Sequence, residues 1–140
     1  FGDPETEVIL PRMKSDLLPV LAQIAEGRLE SGSLEWYDKA CMAVVMASGG
    51  YPGAYEKGVP INGLEPLKEN AEVFIFHAGT AWDESRRMVT AGGRVLAVTA
   101  LGETLKSAHD RAYHAVSKIN FQGGFCRRDI GHKAIALHVI

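Results

Sequence analysis

The sequence is poor in several things, and each shortage narrows what the chain can be. It holds only two cysteines, Cys41 and Cys126, far apart and outside any CxxC pair. The pair reads as reduced thiols in a cytosolic protein, with a single disulfide between them as the alternative. There is no apolar run of about 18 residues, so no membrane span is expected. The net charge is only −2, too small for a nucleic-acid or membrane-surface protein. Phosphate-loop and nucleophile-elbow patterns are both missing. The opening FGDPETEV has no basic n-region and no apolar h-region, so a signal peptide is not expected. The chain opens on Phe1 rather than methionine, which suggests a fragment or a processed piece.

What is present suits a folded domain. The apolar fraction is 46% and the charged fraction 23% over 140 residues, ordinary values for a chain that builds a core. Residues 1–27 read as helical. Asp3-Pro4-Glu5 offers a capping aspartate and a proline at the first helical position, and Pro11 interrupts. A second start lies at Ser15-Asp16, with Pro19 in its first turn and Gly27 as a stop. A boundary falls near residues 28–40, which are mixed and polar.

Beyond it the texture is that of strands. CMAVVMAS, Cys41 to Ser48, has strand length and runs into the glycine-rich loop GGYPGAYEKG. EVFIFHAGT, Glu72 to Thr80, is a second strand candidate. Residues 87–102 read as a hairpin turning at Ala91-Gly92-Gly93. Thr104 caps a helix whose apolar stripe is Leu105, Ala108, Ala112, Ala115, Val116 and Ile119. KAIALHVI, Lys133 to Ile140, is a last strand candidate. Strands and helices do not alternate, so a doubly wound parallel sheet is not expected. The fold class is α+β: a small antiparallel sheet or open barrel with one packed helix.

Several groups carry chemistry. The five histidines lack the i, i+4 spacing of a helical zinc site, and surface or core roles suit them better. Cys126 sits beside two arginines, but no adjacent histidine or oxyanion hole marks it as a nucleophile. GGYPGAYEKG either brings backbone N–H groups to a phosphate or simply connects strands, and glycine content favours a connection. Asp3, Glu5 and Glu7 form an acidic cluster, read as helix capping before cation or amine binding. Arg127-Arg128-Asp129 is the most pointed feature. One guanidinium can pair with Asp129, leaving the other to hold either an internal carboxylate or a phosphate.

FGDPETEVILPRMKSDLLPVL, VVMASGGYPGAYEKG, FHAGT, GGRVLAVTALGETL, AYHAVSKINF and RRDIGHKAIA together resemble the C-terminal part of the glycinamide ribonucleotide synthetase (phosphoribosylamine–glycine ligase) family, of the ATP-grasp superfamily. The motifs occur in family order and span essentially the whole chain. The resemblance implies a ligase of purine biosynthesis that joins glycine to 5-phosphoribosylamine. ATP activates the glycine carboxylate as an acyl phosphate, and Mg²⁺ (or Mn²⁺) bridges the ATP phosphates. Residues 1–34 would form the C-terminal edge of the ATP-grasp core. Residues 35–140 would form the family's C-terminal domain, barrel-like and of the rudiment single hybrid motif type.

The resemblance also places the N-terminal and ATP-grasp lobes upstream, with the metal-ligating Glu and Asn before Phe1. The fragment is therefore not expected to be active alone, and no catalytic or metal-binding residue is assigned in it. Carried over position by position, Asp3 and Glu5 lie beside the glycine and amine site. Arg127 and Arg128 match the C-terminal basic turn suited to a ribose 5-phosphate, and Lys118 is a third candidate. Gly49–Gly58 and His77–Thr80 rank second. A stand-alone sugar-phosphate-binding or docking module is the competing reading. Such a module would hide its apolar residues, whereas a cut piece would expose those of residues 8–21.

Overall fold

One strand organises the molecule. Every residue of β5 (Arg94–Gly102) after Arg94 is buried, so the strand needs cover on both faces and partners on both edges. In the computed structural model, which describes residues 2–137, it has both. β5 pairs antiparallel with β1 (Ala40–Ala47) on one side and β2 (Val73–His77) on the other. The short β6 (Phe125–Cys126) joins the outer edge of β1, giving the order β2-β5-β1-β6. A separate ribbon pairs β3 (Thr80–Trp82) with β4 (Met88–Thr90).

The expected hairpin over 87–102 therefore does not form. β4 leaves for the ribbon, and Ala91-Gly92-Gly93 crosses between two sheets instead of turning back within one. A strand as apolar as β5 is stabilised at the sheet centre, where β1 and β2 seal both edges. A three-residue β4 offers too little to hold that position.

The helix α3 (Leu105–Val116) starts immediately after β5 and packs back over β5 and β1. Its start is specified locally. Thr104 Oγ1 accepts the Ser107 N–H at 3.1 Å, and Ser107 Oγ accepts the Thr104 N–H at 3.0 Å, a reciprocal capping box. Ala108, Ala112, Ala115 and Val116 are buried against Met42, Val44, Met46 and Val98. The small alanines let the helix approach the sheet closely. Val44 and Val98 sit opposite one another and are fully buried, each contributing about 1.5–3 kcal/mol.

The other face of β1 and β5 is met by α1 (Thr6–Arg12), followed by α2 (Leu17–Ala25). Asp3 does not cap α1: Glu5 occupies the N-cap position and makes no side-chain cap bond. Pro11 lies within the final turn, so the helix continues through it and ends at Arg12. Asp16 caps α2 by accepting the Leu18 N–H at 3.0 Å, with Pro19 in the first turn as expected. The Met13–Trp36 bridge and the Lys14 N–H bond to the Glu35 carbonyl tie the segment after α2 back to the end of α1.

The last strand candidate is corrected too. His132–Ala136 forms a short helix, α4, entered through Gly131 at φ +78. A left-handed glycine there turns the chain away from β6, and Lys133, Ala134 and Ala136 favour helix over strand. His138 to Ile140, the rest of that candidate, lie outside the described residues.

Candidate functional site

Three loops meet at the end of the sheet where β1 finishes and β5 begins. Their approaches are backbone to backbone. A Cβ on Gly49 would stand 2.8 Å from the Gly123 carbonyl oxygen, and one on Gly79 only 2.6 Å from that of Arg94. Neither site has room for a side chain. Buried Ser48 fastens the arrangement, its N–H donating to the Gly93 carbonyl at 2.8 Å and its hydroxyl to that of Gly92 at 2.9 Å. A cleft of about 150 Å³ lies between these loops, lined by Ser48, Gly49, Glu56, Gln122 and Gly123 among others.

The N-terminal segment reaches this end. Asp3 forms an ion pair with Arg94 at 2.9 Å, so the GDPE segment is moored to the first residue of β5. Arg94 was not singled out in the sequence. Its signal was faint: one cation between a Gly-Gly pair and an apolar strand. Glu5 is exposed, and its carboxylate makes no hydrogen bond or ion pair among the described residues. Glu7 turns inward, and its Oε2 is buried without a hydrogen-bond partner among them. The acidic cluster thus divides into a moored, an open and a buried carboxylate.

The basic turn follows β6. Arg127 holds Asp129 with two parallel bonds, Nε to Oδ1 at 2.9 Å and Nη2 to Oδ2 at 2.6 Å. This fork raises the Arg127 pKa and lowers that of Asp129 below the usual carboxylate range. Both side chains are exposed, so the pair adds little stability. Arg128 is exposed as well, and its side chain makes no hydrogen bond or ion pair among the described residues. One guanidinium of the turn is thus paired and, among the described residues, the other is not. Tyr113 of α3, which sequence reasoning missed, pins the turn: its hydroxyl donates to the Arg127 carbonyl at 2.7 Å and accepts the Ile130 N–H at 3.2 Å.

The two regions are neighbours. Phe125, Ala47 and Arg94 lie in one row across β6, β1 and β5. Two strand spacings, about 10 Å, therefore separate Arg94 from the strand that delivers the basic turn. Lys118 stands just past the C-terminal end of α3, which runs back toward this end of the sheet, beside the Asn62–Asn120 bridge. It is exposed and makes no side-chain ion pair among the described residues. His77 and Thr80 bond to each other at 3.1 Å on the far side of β5.

Among the described residues no three His, Cys, Asp or Glu side chains converge on a point that would hold an ion. Cys41 and Cys126 are free thiols. No helix among the described residues is long and apolar enough to cross a membrane.

Comparison with known proteins agrees with this architecture. The sequence model of the family described as "Phosphoribosylglycinamide synthetase, C domain" matches residues 41–133. The chain belongs to that family. It is 51% identical over 136 residues to the phosphoribosylamine–glycine ligase of Agrobacterium fabrum, covering 97% of this chain and 31% of that protein. The ligase of Escherichia coli O6:H1 is 50% identical over 135 residues, 96% of this chain and 31% of the relative. A chloroplastic ligase of Arabidopsis thaliana is 51% identical over 136 residues, 96% of this chain and 26% of the relative.

The crystal structure of the Thermotoga maritima ligase superposes with a TM-score of 0.77 at 36% identity, over 92% of this chain and 31% of that one. The chain thus spans about three tenths of the length of its bacterial relatives. The family's ATP-grasp membership and the mixed architecture of antiparallel sheets with few helices fit what is seen. The resemblance read from six sequence motifs was correct.

Proposed function

We infer that this chain supplies the C-terminal portion of an ATP-dependent ligase that joins glycine to 5-phosphoribosylamine, yielding glycinamide ribonucleotide, ADP and phosphate in purine biosynthesis. The observation that carries this reading is identity near one half, over almost the whole chain, to proteins named phosphoribosylamine–glycine ligase. Residues 1–34 would be the C-terminal edge of the ATP-grasp core and 35–140 the barrel-like C-terminal domain. The family match starting at residue 41 supports a division near there.

The side chains described here offer no donor set for the metal the family reading implies. With no converging metal donors among the described residues, ATP and Mg²⁺ or Mn²⁺ would be held by lobes outside these 140 residues. Chemistry at the acyl centre is assigned to no side chain of this chain, which alone should have no ligase activity. A cytoplasmic location is the expectation that goes with this reading.

What this chain contributes is binding and orientation. Arg128 carries an unsatisfied planar fork suited to the dianionic 5-phosphate of the sugar amine, while Arg127, committed to Asp129, shapes the turn that presents it. Glu5 is the open carboxylate that would orient an amine, and Asp3 anchors its segment to Arg94. Lys118 lies at the same end of the sheet and adds positive potential.

Steady-state kinetics of the complete enzyme test this. Arg128→Ala should raise KM for phosphoribosylamine about 10- to 100-fold, with ATP and glycine behaving normally. That is the size expected for a lost charge-assisted contact of about 1.5–3 kcal/mol. Arg127→Ala should change that KM less. Normal kinetics in Arg128→Ala would make the turn a structural element only.

A further inference from the structure

A second concavity lies away from the region just described, on the β2 edge of the sheet. Its volume is about 570 Å³, within the range of small-molecule sites, about 300–1,000 Å³. The floor is apolar, formed by Ile61, Ile75 and Met88. One wall is the 3₁₀ turn Glu65–Leu67, and the other is the ribbon of β3 and β4. That ribbon carries Trp82 with 68% of its surface exposed.

The cations at the rim are not equivalent. Lys68 is paired with Glu65 at 2.6 Å, and Arg87 with Asp83 at 2.8 Å. Arg86 is different. Its side chain makes no hydrogen bond or ion pair among the described residues, although it lines the cavity. It also holds a left-handed backbone at φ 57, the one non-glycine residue to do so among those described. That conformation is uncommon for a side chain of this size. The ribbon tip is fixed around it: Asp83 accepts the N–H groups of Ser85 at 2.9 Å and Arg87 at 2.8 Å, and the Arg86 N–H donates to the Asp83 carbonyl at 2.9 Å. The tip neutralises one arginine and leaves the next one open.

A bare indole and an uncompensated guanidinium that line one cavity with an apolar floor ask for a ligand with matching parts. We propose that this cavity binds a small flat heteroaromatic anion, its ring stacked on Trp82 and its anionic group held by Arg86. The indole supplies a broad π-face, the floor desolvates the ring, and the guanidinium fixes orientation through charge-assisted hydrogen bonds. The proposal stands independently of the ligase reading, because it uses none of the residues assigned there.

The test uses this 140-residue chain with Trp36→Phe, which leaves Trp82 as the single fluorescent indole. Adenosine 5′-monophosphate is the probe, with adenosine as the ring without the anion and inorganic phosphate as the anion without the ring. The monophosphate should quench Trp82 saturably, and each partial probe should bind at least tenfold more weakly. Arg86→Asn should weaken the monophosphate at least tenfold. Asparagine is chosen because it tolerates the left-handed backbone, so the tip keeps its shape. Trp82→Leu, read by calorimetry, should lose binding to a similar degree. The absence of saturable quenching, equal affinity for adenosine and its monophosphate, or unchanged binding in Arg86→Asn would each overturn the proposal.

Discussion

The Tyr113 hydroxyl bridges both sides of the basic turn, giving its proton to the Arg127 carbonyl and receiving the Ile130 N–H. A single oxygen on α3 therefore sets the position of the turn relative to the core. It acts on the backbone and takes no hydrogen bond from either guanidinium. Burial raises the phenol's pKa above its ordinary value, so the clamp keeps its proton through the neutral range.

Tyr113→Phe removes that oxygen and strands two backbone groups. The loss should be about 1–2 kcal/mol, which lowers Tm by roughly 3–6 °C for a domain of this size. Calorimetry measures the first effect. In the complete enzyme the KM for phosphoribosylamine should also rise while both arginines remain, and an unchanged KM would separate the clamp from binding.

Burial pushes the Cys41 thiol up from 9.0 to about 11, against a smaller lowering by the Arg12 charge. At pH 8 only about one molecule in a thousand then carries the thiolate. Iodoacetamide should label Cys41 far more slowly than a free thiol. Linkage gives the matching sign. Above pH 9 the unfolded chain sheds this proton and the folded one keeps it, so stability should fall as pH rises from about 9 to about 11. Denaturant midpoints measured across that window, compared with Cys41→Ala, would show the difference.

Two glycines should respond differently to alanine. At Gly79 a Cβ would press on the backbone of Gly92 and Arg94, and Gly79→Ala should cost about 2–3 kcal/mol, since backbone cannot rotate aside. Gly32, at φ +84, has nothing within 4 Å of its Cβ position. Its alanine variant should cost about 1–2 kcal/mol, from the left-handed backbone alone. Equal losses by urea denaturation would refute the distinction.

On α2, Leu18 is 70% exposed, Leu21 49% and Ile24 53%. They recur at helical spacing as an uncovered apolar stripe. The isolated chain should self-associate through it, and Leu18→Lys with Leu21→Lys should restore a monomer in analytical ultracentrifugation without lowering Tm. A wild-type chain that sediments as a monomer at high concentration would count against this.

The elements that local rules specify were readable from the sequence. The Thr104 cap and the alanine stripe of α3 follow from spacing alone, and so do β1 and the Gly27 stop. Elements that depend on distant partners were not. Nothing in residues 87–102 says that the two arms will join different sheets, because that outcome depends on β1 and β2 claiming the edges of β5. Lys133 to Leu137 looked like a strand because the apolar pattern there is short and fits either period. At the candidate site, Arg127 and Asp129 are two residues apart in sequence and their pairing was one of two open readings. The Asp3–Arg94 pair spans the chain and left no local trace, and the role of Tyr113 rests on a hydroxyl that no pattern marks.

The meeting of Gly49 with Gly123, and of Gly79 with Arg94, has a consequence for how this region tolerates change. Where side chains separate two loops, a rotamer can swing and absorb a small error. Here peptide planes are in direct touch, and there is no such cushion. A displacement of one loop must pass undiminished to the next, and so to the residue that moors the N-terminal segment. The end of the sheet therefore behaves as a rigid reference edge against which Asp3 and the basic turn are both gauged.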